Sequence, residues 1–134
     1  MIEFGRILIV DDSAMMRTIV RKSLEMAKVR ASEVVEAKNG LEAWHQLEKQ
    51  PFDIMFCDLN MPEMSGDELI ERLMIAGSIA IPPVVIVSSE ASTERVDCLK
   101  CDQIIGVLRK PFSPEKIVTL FSQATKLLRR EMAQ

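Results

Sequence analysis

Arg6-Ile-Leu-Ile-Val10-Asp11-Asp12-Ser13 is the stretch on which the fold turns: an aliphatic run stops at two aspartates and a hydroxyl residue, and helical spacing begins directly afterwards. Successive strand side chains point to opposite faces of a sheet, so an unbroken apolar run suits a strand that is covered on both sides. After the polar turn, Met16, Ile19, Val20, Leu24 and Ala27 recur at helical intervals. The same alternation repeats along the chain. Val34-Val35, Ile54 to Cys57, Val84 to Val87 and Ile104 to Leu108 read as further strands. Leu41, Trp44 and Leu47, then Leu69, Ile70, Leu73 and Met74, then Ile117, Leu120, Phe121, Ala124 and Leu128, read as helix faces. Ser113 and Pro114 suit the start of the last helix. Between Ser92 and Lys100 only Val96 and Leu99 stand out, which predicts a helix that is short or mobile. Gly5 and Asn39-Gly40 read as punctuation before a strand and a helix. Strict strand-helix alternation predicts parallel strands joined by right-handed crossovers, hence a three-layer α/β domain.

At roughly 100–200 residues per domain, the 134 residues are expected to form one unit, 1–134, with no output domain. A composition 48% apolar and 28% charged is that of a globular chain. The net charge of −3 gives no basic field to hold nucleic acid. The weakly polar run from Ile75 to Ser89 is broken by Gly77, Ser78 and Pro82-Pro83, so no membrane span is expected. The first apolar run is too short for a secretory signal, and three cysteines fit a reducing compartment, so the expected location is cytoplasmic.

Ligands of open parallel sheets bind at the carboxyl ends of the strands. Those ends carry Asp11-Asp12, Asp58, Ser88-Ser89 and Lys110-Pro111. Two carboxylates about 4 Å apart repel by roughly 4 kcal/mol at an effective dielectric near 20, so three in one cleft call for a cation or a proton. Lys110 offers one charge, and an all-oxygen site suits Mg²⁺ or Mn²⁺ better than zinc. The single histidine, His45, falls on a helix away from these ends.

These residues and their surroundings resemble the receiver domain of two-component response regulators, in particular the single-domain, chemotaxis-type regulators. The resemblance covers about Arg6 to Leu128. It rests on Ile-Leu-Ile-Val-Asp11-Asp12-Ser, Glu36-Ala-Lys-Asn-Gly40, Cys57-Asp58-Leu-Asn60-Met61-Pro62-Glu-Met-Ser-Gly66, Val-Ser88-Ser-Glu90-Ala and Lys110-Pro111-Phe112. It implies a flavodoxin-like fold of strand order 2-1-3-4-5. It also implies that Asp58 accepts a phosphoryl group from a sensor histidine kinase, a histidine phosphotransfer protein or a small acyl phosphate. By the same resemblance Asp11, Asp12, Asp58 and the Asn60 carbonyl would hold Mg²⁺ (or Mn²⁺), Lys110 would pair with the phosphate, and Ser88 would bond it. Gly66 would turn the loop after Asp58 into a helix, Lys110-Pro111 would be cis, and Asn60 and Glu90 would flank the path of an attacking water. The switch would be self-catalysed, working as a monomer or weak dimer on an unknown protein target.

Two rival readings share parts of this chemistry. A haloacid-dehalogenase-type phosphohydrolase also uses an aspartate and Mg²⁺, but its Asp-x-Asp after the first strand is not matched by Asp11-Asp12-Ser13. A phosphorylation-independent pseudo-receiver is opposed by the presence of every site residue. Cys98-Leu-Lys-Cys101 has redox spacing but is expected inside a helix, Cys57 reads as a buried strand residue, and the methionines, Met15-Met16 included, read as core filler. The chain departs from chemotaxis-type receivers at Val107, where most carry an aromatic residue.

Overall fold

The computed structural model describes residues 2–89 and 94–132, with side chains of the last helix described as far as Gln123. Among the described residues five strands, β1 (Ile2–Val10), β2 (Val29–Ala37), β3 (Ile54–Asp58), β4 (Val84–Ser88) and β5 (Ile104–Arg109), alternate with five helices. The helices are α1 (Ala14–Met26), α2 (Gly40–Lys49), α3 (Gly66–Ala76), α4 (Glu94–Leu99) and α5 (Pro114–Met132). The strands pair in parallel in the order β2-β1-β3-β4-β5, the flavodoxin-like α/β arrangement that the sequence resemblance implies.

The period of two along each strand divides the core into two layers. Leu8, Val10, Met55, Cys57, Val84 and Ile86 face one side with Ala43 and Leu47 of α2 and Leu69, Ile70 and Leu73 of α3. Ile7, Ile9, Ile54, Phe56, Val85 and Val87 face the other, with Val20 and Leu24 of α1 and Ile117 and Phe121 of α5. Side-chain capping starts three helices, with Ser13, Asn39 and Ser65 accepting from the N–H of Met16, Glu42 and Glu68. Among the described residues, no helix is long and apolar enough to cross a membrane.

Several sequence expectations are corrected. β1 and β2 are each nine residues long, because Ile2 to Phe4 pair with Val29 to Ala31 before β3 joins the sheet. Gly5 therefore lies inside β1, its N–H bonded to Asp53. β2 is an edge strand with much of its length exposed, so it lacks the apolar run of a strand covered on both faces. Met15, Ile19, Leu41 and Met74 lie on outer helix faces, and Met15, 73% exposed, is no core filler. The short α4 ends at Leu99, with Lys100 at φ 49°, so Cys101 lies beyond the helix and packs on the first core layer while Cys98 is exposed. Ser92 and the side chains of Ala124 and Leu128 lie outside the described residues.

Candidate functional site

Each strand end delivers its polar residue to one edge. Hydrogen bonds in the ladder hold β3 between β1 and β4, so Asp58 leaves the sheet from its central strand. β1 delivers Asp11 and Asp12, and the Asp11 side chain accepts from the Ser13 N–H at 2.9 Å, which turns the chain into α1. β4 ends in the buried Ser88, whose carbonyl accepts the Lys110 N–H at 2.8 Å. The Lys110-Pro111 peptide is cis.

Carboxylate oxygens of Asp11, Asp12 and Asp58 lie within 4.8 Å of one another, two of the residues being buried and Asp12 exposed. Lys110 Nζ is 3.0 Å from Asp11 Oδ2 and 3.6 Å from Asp58 Oδ2. The Asn60 N–H donates to Asp58 Oδ1 at 3.4 Å. Burial pushes the Asp58 carboxyl above its ordinary value, opposed by Lys110, reinforced by Asp11, eased by the Asn60 N–H and raised again by Asp12. One ammonium does not balance three acids, and oxygen donors crowded to this degree are a fitting set for a hard divalent cation. Behind them, burial above all pushes the Cys57 thiol far up, with Asp58, Asp11 and Asp67 adding to it, which keeps that sulfur un-ionised and inert.

The walls of the cleft include residues that sequence reasoning passed over. Arg17 donates to the Asp11 carbonyl at 2.7 Å and pairs with Glu36, which Arg21 also holds at 2.7 Å. Burial raises the Glu36 carboxyl, but the bonds and charges of Arg17 and Arg21 prevail and hold it below its ordinary value. Arg95 of α4 reaches Asn60 Oδ1 at 2.7 Å and both carboxylate oxygens of Asp67. Glu36 opens the Glu36-Ala-Lys-Asn-Gly40 motif, but no periodicity marks Arg95, whose partners are 28 to 36 residues away. Of the expected site residues, Glu90 lies outside the described residues. His45 pairs with Glu48 on the exposed side of α2.

The family model of the response regulator receiver domain matches residues 7–122. A chemotaxis protein CheY homolog of Campylobacter jejuni is 33% identical over 112 residues, covering 82% of this chain and 84% of that protein. Chemotaxis protein CheY1 of Helicobacter pylori is 30% identical, over 82% of this chain and 88% of its own. Among solved structures, the chemotaxis response regulator CheY4 of Vibrio cholerae superposes with a TM-score of 0.70 at 30% identity, covering 91% of this chain and 97% of its own. The chain belongs to the response regulator receiver family, which leaves the phosphohydrolase reading without support.

Proposed function

We propose that this receiver domain accepts a phosphoryl group on Asp58 from a phosphohistidine or a small acyl phosphate, and that phosphorylation switches a surface read by a partner protein. The observation that carries the reading is the juxtaposition of a buried Asp58, two further carboxylates and Lys110 at one strand edge. Asp58 Oδ2, the oxygen nearer Lys110, attacks phosphorus, and the bond from phosphorus to the donor's nitrogen or oxygen breaks. Lys110, a compact strongly hydrated point charge, balances charge gathering on the transferred group. Ser88, hydrogen-bonding the phosphoryl group, would draw on the strand end that the Lys110 N–H already fixes.

Asp11, Asp12, Asp58 and the Asn60 carbonyl would hold Mg²⁺, with Mn²⁺ as a substitute. When bound, the ion supplies charge neutralisation and orientation of oxygens. Metal that binds only the folded state raises stability by mass action, by about 2.7 kcal/mol at a hundredfold excess over Kd. Addition of Mg²⁺ is therefore expected to raise the thermal midpoint, and Asp12→Asn to shift that response to higher metal concentration. An unchanged midpoint on addition of Mg²⁺ would remove the cation site.

The direct test is intact mass after incubation with acetyl phosphate, with Mg²⁺ or with a chelator. One phosphoryl group is expected with Mg²⁺ and none with chelator; an unmodified chain in both defeats the reading.

The donor in the cell would be a sensor histidine kinase or histidine phosphotransfer protein. On the output side, Val107 is 40% exposed on β5 beside the exposed Arg109. A β-branched side chain is too stiff and short to carry a movement at Ser88 outward. The signal would run instead through the chain after β4 and α4, a six-residue helix with no fully buried residue. Hydrogen exchange with beryllofluoride is expected to change between Ser89 and Cys101; a change confined to β5 would contradict this route.

A further inference from the structure

The planar guanidinium of Arg95 spans three groups drawn from two parts of the fold, α3 and the loop after β3. Its Nε and Nη2 meet Asp67 Oδ2 and Oδ1 at 3.1 and 2.6 Å, the fork-to-fork pairing that fixes a guanidinium in both position and orientation. Its Nη1 donates to Asn60 Oδ1 at 2.7 Å, and Nη2 lies 3.4 Å from the Leu59 carbonyl. That carbonyl also accepts the Gly66 N–H at 3.0 Å, and the Asn60 N–H leads on to Asp58 Oδ1. One side chain of α4 thus grips the start of α3 and the loop that follows the nucleophile.

The electrostatics agree with the geometry. Burial alone would raise the Asp67 carboxyl, but the bonds from Arg95 and Ser65 and the charge of Arg95 hold it below its ordinary value, so Asp67 stays ionised as the anchor. With its fork fixed by Asp67, Arg95 has no freedom to follow Asn60; Asn60 is held where Arg95 is. The amide oxygen of Asn60 is thereby held toward α4.

We propose that Arg95 is a positioning residue of the phosphoryl-transfer site: clamped by Asp67, it fixes the side chain of Asn60, two residues beyond Asp58, and ties α4 to the loop after the nucleophile. This rests on the proposed function of Asp58. Its consequence is that the lifetime of the phosphorylated state depends on a residue of α4. With Asn60 oriented, water reaches the phosphorus in a fixed line; with Asn60 released, that approach is less often aligned.

Two measurements on the full chain test the proposal. In the first, phosphate loss is followed after acetyl phosphate is removed. Arg95→Ala is expected to slow loss by about tenfold in the presence of Asn60 and to have no further effect in an Asn60→Ala background. Arg95→Lys, which keeps the charge and lacks the fork, is expected to slow loss as Arg95→Ala does. Unchanged or faster loss in Arg95→Ala, an equal effect in both backgrounds, or full activity of Arg95→Lys would overturn the proposal. The second needs neither phosphate nor metal: the side-chain amide signals of Asn60 in a ¹⁵N NMR spectrum should move in Arg95→Ala and in Asp67→Asn, while those of Asn39 stay in place. Unmoved Asn60 signals refute the clamp even where phosphorylation proceeds. Moved signals in a chain that takes up no phosphate retain the clamp and refute the function of Asp58 instead.

Discussion

Asp58→Asn is expected to abolish phosphoryl uptake completely and, in metal-free buffer, to make the protein more stable. The two effects share a cause. Asp58 is 5% exposed, and burial first, then Asp11 and Asp12, lift its carboxyl pKa in the folded state against the pull of Lys110 and the Asn60 N–H. For an acid whose folded pKa lies above its unfolded one, the associated stability is present below the unfolded pKa and is lost as pH rises through the folded pKa. At neutral pH the ionised Asp58 therefore costs stability. Asparagine keeps the shape, removes the charge and leaves Lys110 its 3.0 Å contact with Asp11. Intact mass and urea melts between about pH 4 and pH 8 check both parts, and the advantage of Asp58→Asn should widen as the carboxylate of the unmodified chain ionises. Uptake by Asp58→Asn, or an advantage that shrinks as pH rises, would contradict this account.

The strand edge was legible in the chain because its residues stand immediately after apolar runs, a local signal that sheet geometry turns into convergence. Asp11, Asp12, Asp58, Ser88 and Lys110 need only the order of the strands to meet, and the fully covered strands β3 and β4 have the purest apolar runs. Illegibility has equally specific causes. Ile2-Glu3-Phe4 and Val29-Arg30-Ala31 extend the sheet as a two-stranded ribbon, where half of each strand faces water and apolar runs are interrupted. Ile19 and Met74 continue helical spacing by sequence, yet α1 and α3 bury narrower stripes than their apolar residues would allow. The Arg95 clamp depends on where α4 lies over the β3–α3 loop, a tertiary fact that neither periodicity nor a local motif encodes.

Gly66→Val is expected to destabilise the protein by about 3 kcal/mol, at the upper end for an overpacked site, and to weaken its response to Mg²⁺. The reason is distance, not backbone conformation. A Cβ at Gly66 would lie 2.0 Å from the Asp58 carbonyl oxygen, 2.9 Å from its carbon and 3.1 Å from Cys57 Sγ. Flexible side chains give way to such an intrusion, but this neighbour is backbone at the end of β3, in register with Val87 of β4 and directly after Cys57, which is in register with Val10 of β1. α3 must then withdraw, losing the 3.0 Å bond from the Gly66 N–H to the Leu59 carbonyl, or Asp58 must tilt away from Asp11 and Lys110. Either movement disturbs the loop that carries Asn60. Gly77 supplies the contrast: at φ 66° with nothing within 4 Å, its replacement by alanine meets only the left-handed backbone penalty, roughly 1 kcal/mol, and leaves the site alone. Urea titrations of both variants with and without Mg²⁺ separate the cases, since only Gly66→Val should lose metal stabilisation together with stability. Wild-type stability in Gly66→Val would mean that the β3–α3 junction yields more readily than its packing allows.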